Sequence, residues 1–110
     1  MSSEKSHLFV SVTTARLVCY SFRDLTHFAC PVKFFLGAPP APGRHVVQKR
    51  HRVMTGKSIV PQWVISEGIL LSGWPPHTPQ VAPIGMITVD PRDAIQLLDW
   101  LWVDDWVIIG

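Results

Sequence analysis

The pattern of hydrophobic and polar positions in the first third of the chain favours short strands. His7 to Val12 alternate and are rich in β-branched and aromatic side chains, and Ala15 to Phe22 are again β-prone. We predict strands over both segments, arranged either as a hairpin or as one long bent strand. Arg23 to Cys30 has a short, loosely helical pattern that Pro31 would end. The apolar run from Val32 to Gly37 predicts a further strand.

The second half of the chain continues with β-prone segments. Arg44 to Met54 carries no helix cap and is best interpreted as a strand. Residues 58–73 leave two alternatives open: a short helix that begins near Pro61, or two strands joined by the Ser-Glu-Gly at positions 66–68. Ile84 to Val89 is short, apolar and bounded by turn residues, which predicts a strand, and we expect a last strand at the C-terminus after a short loop.

One segment has a clear helix start. Asp90 suits an N-cap, Pro91 suits the first helical position, and Asp93 places negative charge near the positive end of the helix dipole. The apolar residues that follow at helical spacing are Ile95, Leu98 and Trp102, with Leu101 beside them. The sequence therefore predicts an α+β fold in which a mixed or antiparallel sheet carries one main C-terminal helix over residues 90–102.

The length of 110 residues predicts one domain, 1–110, with a single hydrophobic core. Residues 1–6 are polar and are interpreted as a flexible leader. Residues 38–43 and 74–83 are rich in proline and are predicted to be stiff loops. The second loop contains a Pro-x-x-P spacing, for which a rigid crossover is the favoured interpretation over a peptide ligand.

Composition narrows the function classes. The chain is 47% hydrophobic and only 16% charged, against a typical share of ~25% charged residues. A small protein with this apolar excess either buries it or presents it to a partner, which makes self-association a reasonable expectation. The apolar stretch Ile95 to Ile109 is too short for a span of ~20 residues and is broken by aspartates, and no secretion signal is evident. We therefore expect no membrane partner and a cytoplasmic location.

The charges divide between the two halves of the chain. Residues 1–57 hold nine Lys or Arg against two acidic residues, and residues 58–110 hold Arg92 alone against six. The net charge of +2 thus combines +7 with −5. This asymmetry indicates that the two halves attract each other, within one fold or between copies.

The aromatic C-terminal segment is the first candidate binding site. Its members are Trp100, Trp102, Trp106 and Ile108. In a helix, Trp100 and Trp102 would lie roughly 200° apart, at roughly 100° per residue, and would face different surroundings. In an extended segment, all four would share one face and form a wide aromatic strip. Tryptophan is enriched at interface hot spots, although ordinary core packing is the simpler explanation of such a cluster.

The basic segment from Arg44 to Arg52 is the second candidate. Arg44, Lys49, Arg50 and Arg52 are placed to grip phosphate groups if the segment is an exposed strand. In an unbroken strand, His45, Val47, Lys49 and His51 would share one face, and Val46, Gln48, Arg50 and Arg52 the other. Edge strands also carry such charges simply to deter aggregation.

Motifs for catalysis and metal binding are weak. Cys19 and Cys30 lack zinc-site spacing and are interpreted as buried, reduced, small hydrophobic residues. Asp104 and Asp105 fit a solvated turn, no serine lies in a nucleophile elbow, and no catalytic residue, metal site or cofactor is predicted. The favoured hypothesis is a non-enzymatic protein-interaction or assembly module that self-associates through its tryptophan-rich segment. A nucleic-acid-binding accessory protein is the alternative, and a small hydrolase with a His/Asp site comes third.

Overall fold

The computed structural model describes residues 7–20, 26–35, 40–56, 58–73 and 85–110. Residues 1–6, residues 38–39 of the first proline-rich segment and all of the second lie outside the described residues. The strands are β1 (His7–Ser11), β2 (Arg16–Tyr20), β3 (Thr26–Pro31), β4 (Lys33–Phe35), β5 (Gly43–Thr55), β6 (Ser58–Ile65), β7 (Ile69–Gly73), β8 (Gly85–Val89) and β9 (Trp106–Ile109). A 3-10 turn at Ser66–Gly68 joins β6 to β7, and the helix α1 covers Pro91–Leu97.

The strands form one sheet that almost closes on itself. Their order is β3-β2-β1-β9-β5-β6-β7-β8-β4. The pairs β1–β9 and β7–β8 are parallel, and the other neighbours are antiparallel. The two end strands, β3 and β4, are separated along the chain by Val32 alone, whose N–H donates to the Ala15 carbonyl at 2.9 Å. Because consecutive residues are 3.8 Å apart, the two ends of the sheet must meet, which gives a barrel-like shape.

The predicted α+β architecture was wrong. Among the described residues the fold is mostly β, and α1 has only seven residues. The helix start was predicted correctly, because the Asp90 side chain accepts a hydrogen bond from the Arg92 N–H at 3.0 Å and Pro91 is the first helical residue. The predicted buried face of the helix was wrong, since Leu97 is fully buried and Ile95 is 59% exposed. A seven-residue helix that covers one end of a barrel cannot form the second layer of an α+β domain.

Two further segments bear on the secondary-structure predictions. The loosely helical interpretation of 23–30 was wrong over Thr26–Pro31, which pairs antiparallel with β2. Pairing with a neighbouring strand outweighs a weak local preference. Residues 58–73 follow the two-strand alternative. β6 and β7 form an antiparallel pair in which Ile65 is opposite Ile69 and Gln62 is opposite Ser72.

The interior of the barrel is apolar and is centred on Trp63. This side chain is fully buried, and its indole N–H donates to the Leu101 carbonyl at 3.0 Å. Side chains from almost every strand and from α1 pack around it. They include Leu8, Val10, Leu17, Cys19, Val47, Ile65, Leu71, Ile87, Val89, Ala94, Leu97, Val107 and Ile109. Most of the apolar surplus in the composition is therefore used inside the fold.

Candidate functional site

Five polar residues form a row across five neighbouring strands. Their register pairs are Lys33 with Thr88, Thr88 with Ser72, Ser72 with Gln62, and Gln62 with His51. Cross-strand partners point to the same face of a sheet, so all five side chains share one face. The alternate residues, Trp63 and Leu71 among them, fill the interior, so this polar row lies on the opposite face.

The centre of the polar row is buried and hydrogen-bonded. Gln62, Ser72 and Thr88 are at most 3% exposed, whereas Lys33 and His51 at the two ends are exposed. His51 Nε2 lies 3.2 Å from Gln62 Oε1, and the Gln62 amide donates to Ser72 Oγ at 3.2 Å. Ser72 Oγ donates in turn to the Gly73 carbonyl at 2.9 Å. Since Gln62 Oε1 only accepts, His51 must carry its proton on Nε2.

A cavity of about 260 Å³ opens at the Lys33 end of the polar row. Its lining comes from the β3–β4 junction and from the end of β8 with the start of α1. The residues are Pro31, Val32, Lys33, Thr88, Val89, Asp90 and Pro91. Lys33 and Asp90, both exposed, offer one cation and one carboxylate, and the other lining residues are apolar apart from the buried Thr88. The cavity is slightly smaller than sites for drug-sized ligands, which are about 300–1,000 Å³, so it would hold only part of a peptide.

The two cysteines lie away from the polar row, inside the barrel. Cys19 and Cys30 are free thiols, exposed by 0% and 2%, and belong to the hydrophobic core, as the sequence predicted. Burial raises the pKa of each thiol to about 12; the charge of Asp105 adds to the effect at Cys19, and that of Asp93 at Cys30. Both thiols are therefore protonated near neutral pH and poor nucleophiles.

The basic and aromatic candidates lie against each other. The Arg50 guanidinium stacks on Trp102 at 3.6 Å from the ring centre, and Arg44 stacks on Trp106 at 4.4 Å. Trp102 and Trp106 are 57% and 39% exposed, so these two cation–π pairs form part of the surface. These stacks involve neutral rings, so the expected attraction between the basic and acidic halves of the chain stays a prediction. Burial is the main cause of the lowered pKa of Arg50.

The other predicted site residues are dispersed. Trp100 is half-buried against the core, Ile108 is half-buried on β9, and Lys49 and Arg52 are exposed. The two tryptophans 100 and 102 face different surroundings, although the segment is a turn rather than a helix. Their role in binding another protein stays a prediction.

A β-bulge changes the faces predicted for the basic segment. The pairing of β5 with β6 shifts between Val47 and Lys49. His45 and Val47 are buried before the shift, and beyond it Arg50 pairs with Trp63, so Arg50 and not Lys49 lies on the Trp63 side of the sheet. The unbroken alternation predicted from the sequence was therefore wrong.

The two neighbouring aspartates, Asp104 and Asp105, differ in their exposure to solvent. Asp104 is exposed in a turn with φ of 76°, in keeping with the predicted solvated turn, whereas Asp105 is only 8% exposed. The Asp105 carboxylate accepts a hydrogen bond from the Trp102 N–H at 2.8 Å, and its carbonyl accepts one from the Val47 N–H at 3.0 Å. Asp105 thus fixes the turn that carries Trp102 over Arg50.

We expect Trp102→Ala to lower the free energy of unfolding by about 1 kcal/mol, because Arg50 loses the ring that covers its guanidinium. Within the described part of the chain, Arg50 Nη1 is buried without a hydrogen-bond partner. Urea unfolding followed by circular dichroism measures the change. The control is Ile95→Ala, which removes an equally exposed apolar side chain outside the stack. A double-mutant cycle with Arg50→Ala should give a coupling of about 0.5–2 kcal/mol, and a coupling near zero would refute the stacking interaction.

Sequence reasoning missed the polar row. The signal was a polar residue within each of three otherwise mostly apolar strands: Gln62 in β6, Ser72 in β7 and Thr88 in β8. Only the register shows that these positions are neighbours. Over the described ranges no group of three or more His, Cys, Asp or Glu is placed to hold a metal ion, and no helix is long and apolar enough to cross a membrane.

Comparison with known proteins gives a clear fold likeness. No family model and no curated protein matches the chain. Among solved structures, an L,D-transpeptidase from Stackebrandtia nassauensis matches 99% of this chain and 57% of its own, with a TM-score of 0.76 and 18% identity. A fused Zn-dependent amidase/peptidase/peptidoglycan-binding domain-containing protein from Clostridium acetobutylicum matches 96% of this chain and 52% of its own, with a TM-score of 0.68 and 16% identity. An L,D-transpeptidase in complex with imipenem matches 96% of this chain and 58% of its own, with a TM-score of 0.69 and 13% identity.

The likeness establishes that this chain has the fold found in L,D-transpeptidases, and the chain spans little more than half of those solved chains. It contradicts the hypothesis of a non-enzymatic assembly module that self-associates through its tryptophans, and equally the nucleic-acid-binding alternative. The physical reason is visible in the fold: most apolar side chains fill the barrel, and Arg44 and Arg50 are engaged by Trp106 and Trp102.

Proposed function

We propose that this chain takes part in the cell-wall peptide chemistry that L,D-transpeptidases serve, by binding wall peptides at the cavity beside the polar row. The observation that carries the proposal is the match of 99% of the chain, at a TM-score of 0.76, to an L,D-transpeptidase. The peptidoglycan-binding domain-containing protein with the same fold supports peptidoglycan as the source of the peptide. The proposal puts the site of action at the cell wall, in place of the cytoplasmic location expected from the sequence.

The charges at the cavity suit the end of a peptide. A peptide ending in a D-residue presents a carboxylate, and Lys33 is the cation in the cavity wall. Asp90 offers the complementary anion for an ammonium group on a side chain or at the other end. The buried centre of the polar row holds Lys33 and Thr88 in register through the bond from Thr88 Oγ1 to the Lys33 carbonyl at 3.3 Å. The cavity wall is thereby built on strands, which hold a site more precisely than loops.

We expect Lys33→Glu to weaken binding of a soluble peptidoglycan stem tetrapeptide at least about tenfold, equivalent to about 1.4 kcal/mol, since it replaces the cation by a repelling carboxylate. Isothermal titration calorimetry with the tetrapeptide measures the dissociation constant. The matched control is Lys49→Glu, the same charge change at another exposed lysine, on β5 and outside the cavity lining. Equal losses in the two variants would show a nonspecific charge effect, and no binding by the wild-type chain at millimolar peptide would refute the proposed function.

A further inference from the structure

Peptide transfer through a covalent intermediate requires an activated nucleophile on the enzyme. A deprotonated side chain attacks the carbonyl carbon, the C–N bond breaks, the amine leaves with a proton, and an acyl-enzyme remains. The nucleophile must therefore be reachable by the substrate and must be able to lose its proton to a base. The groups to compare with this requirement are the two thiols of the barrel interior, Cys19 and Cys30, and the two hydroxyls of the polar row, Ser72 and Thr88.

Neither Cys19 nor Cys30 meets the requirement for a reachable, deprotonated nucleophile. The chain has two cysteines, and both side chains lie in the interior of the barrel, on the opposite side of the sheet wall from the polar row. Each pKa is raised from 9.0 to about 12, which lowers the thiolate fraction near neutral pH about a thousandfold. Burial at 0% and 2% exposure also denies a peptide access to Cys19 and Cys30. Both properties arise from the same packing, so no small movement of a side chain relieves them.

The hydroxyl groups of the polar row are engaged in hydrogen bonds to groups that are not bases. Ser72 is fully buried, its Oγ–H donates to the Gly73 carbonyl, and its oxygen accepts from the Gln62 amide. The residue between Ser72 and His51 is an amide, which cannot accept the serine proton and pass it on. Thr88 Oγ1 donates to the Lys33 carbonyl, which is not a base. The polar row therefore has the composition of a structural hydrogen-bond chain and lacks the nucleophile–base contact of a catalytic one.

We infer that the cavity beside the polar row engages its peptide noncovalently, with no acyl-enzyme formed at Cys19, Cys30 or Ser72. This inference rests on the proposed function, since it concerns the same cavity and the same class of peptide. It assigns to this chain the recognition part of wall-peptide chemistry. Lys33, Asp90 and the rigid β4–β8 wall supply that recognition, and the thiols contribute only to core packing.

The test combines an acylating reagent with a binding measurement. The purified full chain is incubated with imipenem, whose strained β-lactam acylates an activated nucleophile, and its intact mass is measured; the stem tetrapeptide is titrated in parallel by calorimetry. We expect peptide binding together with an unchanged mass. A covalent adduct on a chain that binds the peptide would overturn the inference alone, and Cys30→Ala and Cys19→Ala variants would locate it. Absence of peptide binding would overturn the proposed function and the inference with it.

Thiol accessibility gives an independent readout. We expect a disulfide reagent such as Ellman's reagent to label both cysteines in guanidinium, and to label the native chain at pH 8 at least about a hundredfold more slowly. Labelling of the native chain is slow because the thiol pKa values are raised: both thiols are neutral through pH 8 and ionise only as the pH approaches about 12. The denatured chain is the control for intrinsic thiol reactivity. Fast native labelling would show an accessible thiolate and would contradict the inference.

Discussion

Trp63→Ala is expected to lower the free energy of unfolding by about 3–5 kcal/mol, which is the range for truncating a large buried aromatic side chain. Trp63 is fully buried and is the largest side chain of the hydrophobic core, whose other members come from strands throughout the sheet and from α1. Its removal leaves a cavity and also deprives the Leu101 carbonyl of its indole donor at 3.0 Å. Guanidinium unfolding at equilibrium, followed by circular dichroism, measures the change. A domain of this size has a total stability of about 5–15 kcal/mol, so the variant should be close to the limit of folding.

Two controls separate the causes of that loss. Trp63→Phe keeps most of the apolar volume and removes the indole N–H, so it should cost about 1–3 kcal/mol through the unsatisfied Leu101 carbonyl and the smaller ring. Trp106→Ala removes an equally large side chain that is 39% exposed, and it should cost clearly less than Trp63→Ala. If Trp106→Ala were as damaging as Trp63→Ala, the barrel would not be centred on Trp63 as described.

Gly73→Ala is expected to lower the free energy of unfolding by about 1–3 kcal/mol through overpacking. A Cβ at Gly73 would lie 3.0 Å from the Ala94 Cβ and 3.5 Å from Pro61 Cδ. Both neighbours are fixed to rigid backbone, one on α1 and one on β6, so neither rotates out of the way. The glycine is therefore what lets α1 approach β7. Thermal and urea unfolding of the variant measure the effect.

A second glycine and a double variant test this explanation. Gly110→Ala places its Cβ 3.5 Å from the Phe9 ring, an ordinary contact, and should change stability by less than about 0.5 kcal/mol. Adding Ala94→Gly to Gly73→Ala removes the clash, so the two changes should couple favourably by about 0.5–3 kcal/mol. Additive losses would mean that the helix is not packed on Gly73.

The candidate site shows where local pattern is informative and where it fails. Asp90 and Pro91 start α1 as predicted, because capping depends on neighbours within one turn. The polar row could not be predicted in the same way, since His51, Gln62, Ser72 and Thr88 are brought together by strand register. Each looked like an isolated polar residue in its own strand. The tryptophans were recognised as important, but their arginine partners depend on a bulge and a turn that no period shows.

Local sequence pattern was sufficient to predict the strands that alternate or carry β-branched residues, the start of α1, the burial of both cysteines and the need to bury a large apolar surface. These properties are local, because side-chain spacing and hydrophobicity act over a few residues. The closure of the strands into a barrel through Val32, the end of α1 after seven residues, and the cavity at the Lys33 end of the polar row became visible only in the folded chain. Those features depend on which strands pair and in what register, and pairing energies between distant segments are set by packing that no single segment contains.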